Sequence, residues 1–179
     1  MSTATQTQLP AATWTLDPVD STAGFSIKYM VSTFRAGFDK LDAALDTTGD
    51  APVLSGSVDP ASIQVKDENF HAHLQSPDFF DTERHPAITF ASTGWRADGD
   101  ELVVDGYLTI KGDSRPVEAR GTLVAPHEDP WGNTRLGITL EASVDRTHFG
   151  IDWNNPLPKG GLALADDVRL HVDLQLVQS

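Results

Sequence analysis

The chain has 179 residues, 39% of them hydrophobic, which suits one domain around one core better than two. Its 26 acidic residues outnumber 13 lysines and arginines, and the net charge of −13 repels polyanions and anionic bilayers at long range, which argues against nucleic acid as a partner. With no cysteine it has no disulfide, thiolate nucleophile, iron–sulfur cluster or cysteine zinc site.

The opening "MSTATQTQLPAAT" has no basic start and no apolar run of signal-peptide length, so the expectation is a flexible tail over residues 1–12, a cytoplasmic location and a single domain over residues 13–179. No later stretch approaches about 18 consecutive apolar residues, so stable membrane insertion is not expected. From Trp14 onward the dominant period is two, that of a strand with one buried face. In "AGFSIKYMV", Phe25, Ile27, Tyr29 and Val31 share a face. "TTGDAP" then marks a turn between early strands.

The segment "KDENFHAHLQSPDFFD" breaks the period. Asp67 is placed to cap a helix that sets Phe70 and Leu74 on one face at i and i+4, and Pro77 falls where it must end, predicting one short helix around residues 67–76. Alternation then resumes. Asp98-Gly99 signals a hairpin turn; Leu102, Val104, Leu108 and Ile110 share a face around Gly106. "KGDSRP" and "HEDPWGN" punctuate the next strands. Leu136, Ile138, Leu140, Ala142 and Val144 form another face, and Val168, Leu170, Val172, Leu174 and Leu176 the last. Hairpins joined in sequence pair antiparallel, and about eight one-sided strands fit an all-β, closed up-and-down barrel, with a two-sheet sandwich as the alternative.

A barrel of about eight strands is either filled by its own side chains or holds one slender ligand. Ala36, Gly106, Ala119, Gly121 and Ala142 lie amid apolar faces, where small residues either make room for a ligand or relieve crowding as strands curve. Candidates for chemistry are few. His71 and His73, two apart on a helix, point to different sides and cannot share a metal, so no metal site is expected. Asp145, Arg146 and His148 have no serine or cysteine elbow, no "HExxH" and no phosphate loop to join, so no catalytic residue is assigned and the chain is not read as an enzyme. Arg146 is expected in a salt bridge at the strand end, with His148 exposed. "GIDWNNPLPKGGLALADD", residues 150–167, is long enough to be a flap over a cavity mouth, with Leu157, Leu162 and Leu164 touching a ligand, or a plain connection.

Four motifs in register now give the chain a family resemblance. "WTLDPVDSTAGFSIKYM", "SPDFFDTERHPAITF", "GYLTIKG" followed by "RPV", and "DRTHFGIDW" occur in the order and spacing of YceI-like proteins over about residues 14–177. The resemblance implies a lipocalin-like, eight-stranded antiparallel barrel that binds a polyisoprenoid without catalysis: a carrier for a long isoprenoid lipid, either a polyprenyl quinone or a polyprenyl diphosphate. Beyond that lipid no cofactor is implied, and a homodimer is compatible. The wall it implies is Phe25, Ile27, Tyr29, Phe34, Phe38, Phe80, Phe90, Leu108, Ile110, Phe149 and Trp153, with Asp145 and Arg146 pairing to close a structural corner. Many relatives are exported, in contrast to the cytoplasmic location expected above. Two alternatives stand beside it: an enzyme using Asp81, His85 or His148 on a small amphiphile, and a stress-related barrel with a filled interior acting through its surface.

Two departures bear on the head group. Family members often read "DPxHS" and "KHM", where this chain has Asp20 and Tyr29. Asp20 at the mouth would repel a diphosphate, and Tyr29 offers a phenol donor and a ring, which favours a neutral quinone-like head. Lys28, Arg35 and Arg115 would reverse that balance if they faced the ligand.

Overall fold

Residues 8–179 are described by a computed structural model in which ten strands form one antiparallel sheet. The strands are β1 (Thr13–Leu16), β2 (Thr22–Tyr29), β3 (Ser32–Gly37), β4 (Leu41–Asp46), β5 (Val53–Val58), β6 (Ile88–Asp98), β7 (Glu101–Ile110), β8 (Asp113–Glu128), β9 (Thr134–Asp145) and β10 (Leu164–Gln178). Eight of them close a ring in the order β1, β4, β5, β6, β7, β8, β9, β10 and back to β1. This is the expected all-β, eight-stranded barrel.

The order departs from a simple up-and-down path at one place. Long β10 offers its edge to two partners in turn: Leu176 to Gln178 pair with β1, and Leu164 to Asp173 pair with β2. Between β1 and β2 the chain turns a corner rather than reversing. Asp17 Oδ1 accepts from Val19 N, Asp17 N donates to Gln175 O, and Gln175 N donates to Ser21 Oγ. The β2–β3 hairpin is therefore an extra flap of sheet beside β10, and β4 returns to pair with β1.

Turn chemistry follows backbone need. At Lys111-Gly112 both residues have positive φ, the pattern of a type I′ hairpin. Between β6 and β7 the central pair is Gly99-Asp100, one residue later than Asp98-Gly99, because Asp98 pairs with Glu101 and only glycine takes the positive φ. The β2–β3 turn is Met30-Val31, which leaves Val31 100% exposed instead of on the inward face with Ile27. The strand ends at Tyr29, so the alternation expected through Val31 stops two residues early.

The helix α1 (Glu68–Gln75) forms as expected: the Asp67 carboxylate accepts from Asn69 N and Phe70 N, satisfying donors that the first turn leaves free. The segment leading into it is tied to the end of β3, where Gln64 N donates to Gly37 O and Asp39 N to Ser62 O, and Phe70 of the helix packs on Phe34 of that strand. Residues 1–7 of the expected tail lie outside the described residues. Its last residues are anchored: Thr47 Oγ1 accepts from Ala12 N and Trp14 Nε1 and donates to Pro10 O.

The interior divides into two halves. At the end holding the β6–β7 turn, Trp14, Leu45, Leu102, Val104, Leu136, Ile138 and Leu176 are fully buried against one another. Each such side chain contributes about 1.5–3 kcal/mol, so this half supplies a large share of the fold's stability. The other half is built around Phe79, Phe149, Ile151, Leu108 and Ile110 and encloses space.

At the filled end Arg135 ties two loops to strand β10, donating to Asp17 (2.6 Å), Asp129 (2.7 Å) and Gln175 Oε1 (2.8 Å). Its hydrogen bonds hold both carboxyls below the usual carboxylate value of 3.8. Since the folded-state values are depressed, this stabilisation is present above the unfolded pKa and is lost as pH falls through the folded one. The melting-temperature gap between wild type and Arg135→Met is expected to be constant between about pH 5 and 8 and to close below about pH 4. A gap that persists into acid would assign Arg135 a packing role instead.

Candidate functional site

The hollow half holds a cavity of about 700 Å³ with almost wholly apolar walls. All eight phenylalanines of the chain line it, whereas the filled half is packed mainly by aliphatic side chains around Trp14. Rings with few rotatable bonds prop a space open where flexible aliphatic chains would collapse into it. Phe25 touches Phe34 and Phe38 at centroid distances of 6.0 and 5.9 Å, Phe38 meets Phe80 edge-on at 6.1 Å, and Phe34 meets Phe70 of α1 at 5.3 Å. A second group joins α1 to the opposite loop: His73, Phe79 and Trp153 lie 5.0–5.4 Å apart.

All eleven residues expected in the wall line this cavity: Phe25, Ile27, Tyr29, Phe34, Phe38, Phe80, Phe90, Leu108, Ile110, Phe149 and Trp153. Sequence reasoning left out Phe70, Leu74, Phe79, Val144, Ile151 and Leu170, which also line it. The helix spacing of Phe70 and Leu74 and the strand faces of Val144 and Leu170 carried that signal. Nothing local marked Phe79 over its neighbour Phe80.

The small residues divide by role. Ala119 and Ala142 face the cavity. Gly106 and Gly121 serve packing instead: a Cβ on Gly106 would lie 2.6 Å from the Phe90 ring, and one on Gly121 would lie 1.7 Å from Thr139 O. Ala36 is buried in the same half without reaching the wall.

The stretch "DRTHFGIDWN" closes one side of the mouth. Asp145 caps a single 3-10 turn, Arg146–Phe149, its carboxylate accepting from Thr147 N and Oγ1, which lowers its pKa. Residues three apart eclipse in such a turn, so Arg146 and Phe149 both point inward while His148 stays exposed. Gly150, at φ 72°, ends the turn. Arg146 does not pair with Asp145 as expected. It reaches across to the returning chain, donating to Ala165 O (2.8 Å), Ile151 O (2.9 Å), Trp153 O (2.8 Å) and Leu164 O (3.4 Å), with the Asp166 carboxylate at 3.4 Å. Burial pushes the guanidinium pKa down, against the nearby aspartates, yet an arginine stays charged. The residue is only 5% exposed, and its hydrogen bonds fix Ile151, Trp153 and Leu164 in the wall.

The rest of that loop folds on itself rather than over the mouth. Leu157 N donates to Gly161 O, Ala163 N to Asn155 O, and Asn154 bonds Leu164 through both side-chain atoms. Of the three leucines expected against a ligand only Leu164 lines the cavity; Leu157 does not, and Leu162 is 61% exposed.

Several polar groups near the wall already have partners. Asp67 caps α1, and His73 Nε2 lies 3.0 Å from Asp78. Lys111 Nζ donates to the carbonyls of Pro77 and Gly150, and Arg115 Nε to His148 O. Asp20 sits in the β1–β2 corner away from the mouth, and neither it, Lys28 nor Arg35 lines the cavity. Tyr29 does, half exposed at the rim. Asp81, His85 and His148 are not on the wall. Asp81 pins a turn, its carbonyl accepting from His85 N, and the His85 ring packs on Gly112. His71 bonds Ala61 O, apart from His73. No group of three metal-ligating side chains forms among the described residues, and none of their helices is long and apolar enough to cross a membrane.

The comparisons agree with this architecture. The YceI-like domain matches residues 14–176. A UPF0312 protein of Staphylococcus aureus (strain MSSA476) is 32% identical over 172 residues, 90% of this chain and 95% of that protein. Protein YceI of Escherichia coli O157:H7 is 32% identical over 114 residues, 64% of this chain, and the match spans just over half, 56%, of that relative's length. Among solved structures, Burkholderia cenocepacia BcnA superposes with a TM-score of 0.72 at 23% identity, covering 89% of this chain and 98% of that one. A polyisoprenoid binding domain from Saccharophagus degradans, implicated in plant cell wall breakdown, gives 0.68 at 13% identity, covering 95% and 100%. The barrel, its family motifs and the match over nearly the whole chain lead to one conclusion: this chain belongs to the YceI-like family.

Proposed function

We propose that this protein is a non-enzymatic carrier that encloses the tail of an isoprenoid lipid in the hollow half of its barrel. The observation that carries this reading is the 700 Å³ cavity walled by all eight phenylalanines. A buried apolar space of that size calls for an apolar occupant, because water inside it would lack polar partners. The head group is neutral and quinone-like rather than a diphosphate. Arg146, the cation on the wall, is already engaged by four carbonyls and Asp166, so a buried diphosphate would not be compensated there. Tyr29 at the rim offers the phenol donor that a quinone carbonyl accepts. The polyisoprenoid binding named for the Saccharophagus domain supports the same ligand class.

Extraction of the purified protein with organic solvent, followed by mass spectrometry, tests the reading. A stoichiometric polyprenyl quinone is expected, and a diphosphate would overturn the head-group assignment. An empty extract that stays empty after incubation with such lipids would overturn the carrier reading. Because the loop tip folds away from the mouth, deleting Pro158 to Gly161 is expected to leave the release rate of a bound prenol within about twofold of wild type, where twofold is only ~0.4 kcal/mol. Faster release in stopped-flow displacement would make that tip a flap.

A further inference from the structure

We propose, building on the carrier reading, that the cavity limits the enclosed tail to about five isoprene units and that Phe90 sets the limit. The hollow does not run through the barrel. The Phe90 ring lies over Gly106, so close that a Cβ there would fall 2.6 Å from the ring, and it packs against both the filled and the hollow half. Gly106 thus makes the room that lets Phe90 lie across the interior. Leu140, Leu174 and Ala119 line the cavity at this level and also belong to the packed core below it. Together they form a floor, and a tail entering at the mouth stops there.

Length and volume bracket that limit. β10 lines the cavity from Leu164 to Leu174, but the bulge between Leu164 and Val168 takes up extra residues and leaves about eight regular steps along the sheet. At about 3.3 Å per residue and a strand tilt of about 40°, that is roughly 20 Å along the axis. An extended isoprene unit, four carbon–carbon bonds of about 1.5 Å in zigzag, spans about 5 Å, so about four units fit. Volume allows slightly more. A cavity of about 150 Å³ holds one benzene, so 700 Å³ accommodates about 28 carbons by the same scale, or five to six units. Units beyond these remain outside and add little apolar burial.

Titration of the protein with prenols of two to eight isoprene units, followed by the change in tryptophan fluorescence to which Trp153 on the cavity wall contributes, tests the limit. Affinity is expected to rise at least about tenfold per unit up to four or five units, then by less than about threefold in total. Phe90→Ala should extend the rise by one or two units. Phe90→Leu, which disturbs the core less, should shift it in the same direction by a smaller amount, and Ala119→Leu should end it earlier. Thermal melts establish that each variant is folded. A rise that continues undiminished to eight units in the wild type overturns the limit but leaves the carrier reading intact. A plateau that stays in place in folded Phe90 variants overturns the role of Phe90. Failure of every prenol to bind overturns the carrier reading and the limit with it.

Discussion

Replacing Arg146 by methionine is expected to lower stability by about 3–5 kcal/mol, which for a chain of this size is a fall of roughly 6–20 °C in melting temperature. The reason is accounting of hydrogen bonds rather than one ion pair. The guanidinium serves four carbonyls of residues 151–165, while its carboxylate partner Asp166 is well exposed. Methionine keeps much of the apolar stem but leaves several of those carbonyls without a donor, at about 1–3 kcal/mol for each that remains buried. Lysine is not an adequate substitute, since its ammonium cannot span carbonyls on both sides of a planar fork. Affinity for a prenol is expected to fall less than about tenfold, or 1.4 kcal/mol, at a temperature where the variant is folded. Chemical denaturation and prenol titration of the same variant separate the two effects. Loss of affinity at unchanged stability would mean that Arg146 touches the ligand directly.

Filling the cavity should have the opposite signature. Ala142 lies on β9 opposite Leu170 of β10, half-buried, with its methyl group on the cavity wall. Ala142→Trp projects an indole into the space the tail is proposed to occupy. A buried tryptophan covers about 150–250 Å², which at about 25 cal/mol per Å² is worth roughly 4–6 kcal/mol of contact. Prenol affinity is therefore expected to fall at least about a hundredfold, while the melting temperature holds or rises because the ring enters empty space rather than a packed core. Unimpaired binding by this folded variant would place the ligand elsewhere.

Much of this was legible in the chain because period two is a local property. The faces of β7, β9 and β10 follow from alternating side chains alone, and the helix at Glu68–Gln75 follows from Asp67 as a cap and Pro77 as a stop. The eleven wall residues were legible only through the family resemblance, since an inward face does not say whether it meets a side chain or a space. Arg146 shows the limit clearly. Its sequence neighbour Asp145 looked like its partner, but in a 3-10 turn the two side chains diverge and the guanidinium meets carbonyls up to 19 residues away. Val31 and Leu162 looked inward by composition and lie outside because a turn and a folded-back loop overrode the pattern.

The sequence by itself determined that the chain is antiparallel and all-β, carries the motifs of a particular family, and has a capped helix and no cysteine chemistry. These depend on local spacing, turn residues and motif order, each read within a few residues. Only the tertiary structure decided that one half of the barrel is solid and the other hollow. That division depends on which side chains from β1, β7, β8 and β9 arrive at the same level inside the ring: Trp14, Leu102 and Ile138 pack together at one level, while Ala119 and Ala142 leave room at another. Ring closure brings together residues more than a hundred positions apart, and the volume left between them is set by their sum rather than by any one of them.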